Sequence, residues 1–156
     1  MKINGNDIIN KLLTEYNISI NDLVKSGMEM CILSNKDDRD RIITLLEEVI
    51  LKSINNPNVS TLLICAMVMD KEGKNGNLPF DYDKDPTFVY VDEVIGMAIA
   101  NEISGTKGIF NFKWYDAKKP GIIGKLDKEG YMFLDDAIAG LVAGCMSKTF
   151  EILNNP

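Results

Sequence analysis

Residues 133–144, FLDDAIAGLVAG, decide how this chain is read. Asp136, Ala139, Gly140, Ala143, Gly144 and Ser147 recur at helical spacing on one narrow face without a bulky side chain, so a second helix can approach closely there. Residues 89–102, VYVDEVIGMAIANE, offer a matching small surface at Gly96 and Ala100. Each stretch carries an acidic pair, Asp135-Asp136 in one and Asp92-Glu93 in the other. A carboxylate in an apolar helix is costly unless it is paired or binds a cation, and here the cost recurs in two apolar segments. If the two small faces meet, carboxylates from both helices converge on one cation. The pattern leaves the direction of pairing open, and another register separates the acids.

Each acidic pair also has a plain structural explanation. Asp92 and Glu93 in a first helical turn complement the helix dipole. Asp is a good N-cap, so Asp135 and Asp136 can simply open the last helix.

Working outward, the rest of the chain reads as helical. Residues 6–17 repeat Ile8, Ile9, Leu12, Leu13 and Tyr16 at amphipathic spacing, and Ser19 with Asp22 caps a second helix through Ile32. A third follows Ser34 and Asn35, with Asp37 and Asp38 in its first turn, a buried face running from Ile42 to Ile54, and a stop at Asn55-Asn56-Pro57. A fourth, Val59 to Met69, is apolar nearly all round and therefore central. Gly73, Asn75-Gly76, Pro79 and Pro86 then predict a loop over residues 70–86. A fifth helix is expected from Thr87 to Ser104, GIFNFKWY (108–115) reads as either a short extended piece or a helical turn, and a last helix runs from Phe133 or Leu134 to Leu153. The expectation is an all-α fold, one domain over residues 1–156 with about six helices.

Composition narrows the function. The chain of 156 residues is 46% hydrophobic and 26% charged, proportions of a folded protein. A net charge of -6, with Arg39 and Arg41 the only arginines, argues against a nucleic-acid partner. The absence of histidine removes Ser-His-Asp and Cys-His catalysis, histidine phosphatases and histidine-ligated metalloenzymes together. Cysteine phosphatases need an arginine six positions past the cysteine, where this chain has Asp37, Lys71 and Glu151. Carboxylate, lysine, tyrosine and bound metal remain. Cys31, Cys65 and Cys145 are odd in number and widely separated, which predicts reduced thiols. MKINGNDIIN lacks a signal-peptide core, and Val59–Met69 falls short of the roughly 20 residues of a membrane span, so a cytoplasmic location without a span is expected.

Between the acidic pairs lies WYDAKKPG (114–121), where Lys118 and Lys119 can hold a phosphate as point charges and Asp116 can orient one of them. Two exposed lysines beside a turn proline are equally an ordinary surface feature. Trp114 and Tyr115 can flank a substrate ring or pack in the core. DYDKDP (81–86) has the acids of a calcium loop but places Pro86 where that loop needs glycine, so it reads as a solvated acidic loop over the site.

Taken in order, DEVIGM (92–97), YDAKKPG (115–121) and LDDAIAGLVAG (134–144) resemble the phosphatidylglycerophosphatase A family. DPTFVYVDEVIGMAIANEISGTKGIFNFKWYDAKKPGI and LDDAIAGLVAGCMS are most similar to its soluble archaeal branch, the α-ribazole phosphatases. The resemblance covers about the last 70 residues (motifs in 86–147). Gly121 stands where the family has a second proline, and the Gly/Thr/Ser-rich N-terminal motif of the membrane-bound members is not visible. What it implies is an all-helical fold and Mg²⁺-dependent hydrolysis of a small-molecule phosphomonoester, for this branch α-ribazole 5′-phosphate in cobamide nucleotide-loop assembly. Position by position, Asp92, Glu93, Asp135 and Asp136 match the acidic motifs as expected metal ligands, and Asp116, Lys119 and Pro120 match the central one. The expected mechanism is direct attack by water, with Lys118 or Lys119 neutralising phosphate oxygens and no other cofactor. The competing expectations are a phosphatidylglycerophosphate phosphatase and a non-catalytic helical protein that binds a phosphorylated metabolite. The apolar helices also predict a homo-oligomer.

Overall fold

In the computed structural model, which describes residues 3–33 and 38–154, the chain forms α1 (Gly5–Tyr16), α2 (Ile20–Glu29), α3 (Arg39–Ile54), α4 (Pro57–Lys74), α5 (Val91–Ser104), α6 (Thr106–Lys118), α7 (Ile122–Lys128) and α8 (Met132–Asn154). Among the described residues there are thus eight α-helices and no strand, and all eight contribute side chains to one core. The all-α reading holds, while the expected count of about six falls short by two.

The differences have local causes. Reciprocal capping starts α2 at Ser19 with Asp22, as expected, and starts α1 at Asn4 with Asp7, a pair not singled out in the sequence. Ser34, Asn35 and Asp37 lie outside the described residues. Asn56-Pro57 does end α3, but Asn56 also caps α4, with Pro57 pre-organised in its first turn. At its other end α4 runs to Lys74, so the predicted loop begins five residues late. Gly73 is tolerated inside the helix because the Tyr82 ring occupies the space of its missing side chain. A 3-10 turn at Tyr82–Lys84 interrupts the connection to α5.

The ambiguous GIFNFKWY is helical, within α6. Its buried positions, Gly108, Phe112 and Tyr115, fall at helical spacing, with Gly108 and Phe112 against α5 and Tyr115 reaching α2, while Phe110 and Trp114 stay exposed. The additional short helix α7 follows the turn at Pro120-Gly121, where Gly121 takes φ 55°.

The organising element is α8. Nearly every residue from Met132 to Met146 is buried, and its most extensive contact is with α5. The two small faces meet: a Cβ at Gly140 would fall on the carbonyl oxygen of Gly96, and one at Gly144 would lie 3.2 Å from Ala100 Cα. Both contacts advance by four residues in the same sense, so α5 and α8 run parallel. That settles the direction the sequence left open. It puts Asp92 and Glu93 level with Asp136. Helix α6 returns antiparallel, anchored by the Asn111 side chain donating to Ala143 O at 3.0 Å.

Candidate active site

The N-terminus of α8 has no capping side chain of its own, because Gly130-Tyr131 precede Met132. The cap is supplied by α4. Phe133 N–H and Leu134 N–H each donate to a different oxygen of Asp70, at 2.9 Å, and Met132 N–H donates to the Tyr82 hydroxyl at 3.2 Å. Capping is therefore not what Asp135 and Asp136 are for.

Asp135 and Asp136 are only 2% and 3% exposed. Asp136 meets α5, where one ligand oxygen from each of Asp92, Glu93 and Asp136 lies within 4.8 Å of the others. Asp92 Oδ1 and Glu93 Oε2 are buried without any hydrogen-bond partner. Buried polar atoms are nearly always satisfied, so two carboxylates with orphaned oxygens grouped with a third form a cluster that could hold a cation. Three oxygen donors suit a hard divalent ion. The helix-dipole explanation of Asp92 and Glu93 accounts for their place in the first turn but not for the orphaned atoms.

Asp135 faces differently. Its Oδ2 accepts from Lys119 Nζ at 2.6 Å, and its Oδ1 accepts the Asp136 N–H at 2.8 Å. Of the four expected metal ligands, Asp135 thus has its side chain on the lysine, while Asp92, Glu93 and Asp136 form the group that could hold a cation. Lys119 also lies 3.4 Å from Asp116, 3.5 Å from Asp127 and 3.7 Å from Asp136. It terminates α6 in the left-handed region at φ 45°, a conformation that favours glycine. The site uses the side chain that glycine would forfeit.

Of the paired lysines, Lys119 lines the cavity, whereas Lys118 is exposed and outside the lining. Neither aromatic neighbour lines the cavity. Tyr115 is buried and donates to Gly27 O at 2.7 Å, while Trp114 borders a separate groove with Cys31 and Phe150.

These acids line a cavity of about 480 Å³. Its wall includes Asp83 and Asp85, so the acidic loop does lie over the site, together with Thr87, Val89, Tyr131 and Met132. Asp70, Tyr82 and Asp127 went unrecognised in the sequence. Asp70 had one signal, an acid ending the wholly uncharged stretch 58–69, but the loop expected there hid it.

Charge dominates the chemistry. Among the described residues, the lining carries eight carboxylates, Asp83, Asp85, Asp92, Glu93, Asp116, Asp127, Asp135 and Asp136, against the single lysine Lys119. Burial pushes Asp135 up to about 7 despite the Lys119 ammonium. Burial first, then Asp135 and Asp116, raises Asp136, and burial with the facing Glu93 raises Asp92. Burial opposes the charge of Lys119, but Asp135, Asp136 and Asp116 together outweigh it and raise its pKa. Metal-free, the cavity repels phosphate and holds protons; a divalent cation reverses both tendencies.

Residues 41–151 match the family described as phosphatidylglycerophosphatase A. The chain belongs to that family. It is 67% identical over 126 residues to the protein MJ1330 of Methanocaldococcus jannaschii, covering 81% of this chain and 98% of that one. With YpjQ of Bacillus subtilis it shares 26% identity over 149 residues, 91% of this chain and 82% of that one. Among solved structures, the low temperature requirement C protein of Listeria monocytogenes aligns over 97% of both chains with a TM-score of 0.83 and 21% identity. A Bacillus stearothermophilus protein aligns over 96% of this chain and 99% of its own, with a TM-score of 0.80 and 22% identity. At such identities the solved structures show a shared fold. Membership supports phosphatase chemistry in general, and no helix among the described residues is long and apolar enough to cross a membrane.

Proposed function

We propose that the protein is a Mg²⁺-dependent phosphomonoesterase that hydrolyses α-ribazole 5′-phosphate to α-ribazole in cobamide nucleotide-loop assembly, in the reducing cytoplasm where its three free thiols persist. One observation carries the catalytic reading: Asp92 and Glu93, each with an orphaned oxygen, cluster with Asp136 beside Lys119, the only lysine among the described residues lining an acidic cavity. The substrate rests on the sequence resemblance, and the cavity volume suits a small molecule.

A divalent cation held by Asp92, Glu93 and Asp136 supplies Lewis acidity and offsets the charge that otherwise excludes phosphate. Lys119 meets a non-bridging phosphate oxygen with its ammonium. Asp135, buried and bonded to Nζ, aims that ammonium, and Asp116 steadies it from the end of α6. Asp92, Glu93 and Asp136 are committed to the cation and Asp116, Asp127 and Asp135 to the lysine, and with none of these six free to attack, water serves as the nucleophile.

The test is phosphate release from α-ribazole 5′-phosphate with Mg²⁺ or EDTA, beside short-chain phosphatidylglycerophosphate. Metal-dependent turnover of the nucleotide alone is the expected result, and Asp136→Asn should abolish it with the fold intact. Turnover of the lipid alone would instead establish hydrolysis at a membrane surface. That second reading is favoured by the family description and by exposed Phe88 and Tyr90, which flank the cavity residue Val89. Turnover of neither leaves a non-catalytic phosphometabolite-binding protein. Self-association belongs to the same proposal, supported by exposed Val91 and Val94 on α5 and Phe110 and Trp114 on α6, and sedimentation analysis tests it.

A further inference from the structure

We propose that Asp70 and Tyr82 are positioning residues of the site: from α4 and the α4–α5 connection they set where α8 begins, and so hold Asp135 and Asp136 in register with α5. The inference rests on the functional reading above.

An ordinary N-cap is local and fixes a helix end only relative to the chain just before it. Here the cap comes from 63 and 64 residues away, and Asp70 uses both oxygens on successive N–H groups. The Tyr82 hydroxyl lies 2.6 Å from Asp70 Oδ1 and accepts the preceding N–H, from Met132. Three consecutive amides at the head of α8 are thereby fixed relative to α4. The next two residues are Asp135, which holds Lys119, and Asp136, which faces Asp92 and Glu93.

Two features go beyond what helix termination requires. Asp70 is 1% exposed, and burial raises its pKa against the pull of its three donors, whereas a neutral serine or asparagine caps without that desolvation cost. Tyr82 is also built into α4. Its ring fills the space left by Gly73 and stacks on Phe133 with centroids 6.4 Å apart and planes 13° from parallel. The residues after it, Asp83 and Asp85, form a wall of the cavity. One hydrogen-bonded point therefore ties the cavity wall, the head of α8 and the acids together.

The experiment compares wild type, Tyr82→Phe, Asp70→Asn and a remote cap control, Asp22→Ala in α2. Folding is followed by near-UV circular dichroism, Mn²⁺ affinity by calorimetry, and kcat and KM with p-nitrophenyl phosphate. A positioning role predicts folded Tyr82→Phe and Asp70→Asn proteins with Mn²⁺ affinity or kcat lowered about 10- to 100-fold, and KM changed less. Asp22→Ala lowers the melting temperature and leaves Mn²⁺ affinity and kcat of the folded protein alone. Folded Tyr82→Phe with wild-type Mn²⁺ affinity and kcat overturns the proposal, and this isosteric variant decides the matter if Asp70→Asn does not fold. If wild type binds Mn²⁺ but cleaves no ester, the catalytic reading fails while the Mn²⁺ affinities still decide the positioning role. A wild type that does not bind Mn²⁺ overturns both.

Discussion

Replacing Gly96 by alanine probes the close approach between the two helices that build the proposed cation seat. The new Cβ would stand 2.6 Å from the carbonyl oxygen of Asp136 and 2.5 Å from the Phe112 ring, whereas ordinary contact begins at 3.4 Å. The difference, 3.4 minus 2.6, requires α5 and α8 to part by about 0.8 Å at the level of Asp136. Phe112 is buried and offers little room for relief. Overpacking of this kind costs about 1–3 kcal/mol, which a domain of this size survives. The functional cost is larger, because Asp136 is displaced from Asp92 and Glu93 by nearly the amount that lowers rates about 100-fold in a tuned site. Gly144→Ala is the matched control. Its Cβ would meet Ile103 at 3.1 Å, a lesser conflict two turns beyond Asp136. Calorimetric Mn²⁺ titration and phosphate release on both variants are the assays. A folded Gly96→Ala protein with wild-type metal affinity and turnover would refute the claim that the parallel register sets the site.

Three other outcomes are expected. Asp92, Asp135 and Asp136 have folded pKa values raised above their ordinary value near 3.8, so the folded state retains protons that the unfolded state releases. Metal-free stability therefore falls as pH rises from about 4 through the Asp135 value near 7, and Mg²⁺ offsets the loss while releasing protons; melting curves from pH 5 to 8 with Mg²⁺ or EDTA check the sign. Lys119→Met removes the positive charge beside the trio, so Mn²⁺ should bind at least as tightly while kcat falls about 100- to 1000-fold, a split visible by pairing calorimetry with kinetics. Lys118→Ala should leave kcat within about twofold, since Lys118 is exposed outside the cavity, and an equal loss in the two lysine variants would contradict the assignment.

What the amino-acid order determined by itself was local and periodic. Small residues every third or fourth position marked the faces of α5 and α8, the Ser19/Asp22 pair opened α2, and the lack of histidine narrowed the chemistry toward carboxylate, lysine, tyrosine and metal. Those signals lie within one or two helical turns, the range over which side-chain spacing and capping act. The tertiary structure decided what depends on distant segments. It chose the parallel register that levels Asp136 with Asp92 and Glu93, turned Asp135 toward Lys119, left Lys118 outside, and brought Asp70 and Tyr82 to the head of α8. Hydrophobic periodicity says which face of a helix is buried but not against what. Only packing distinguishes two adjacent carboxylates or two adjacent lysines, because each neighbour on a helix points about 100° from the last.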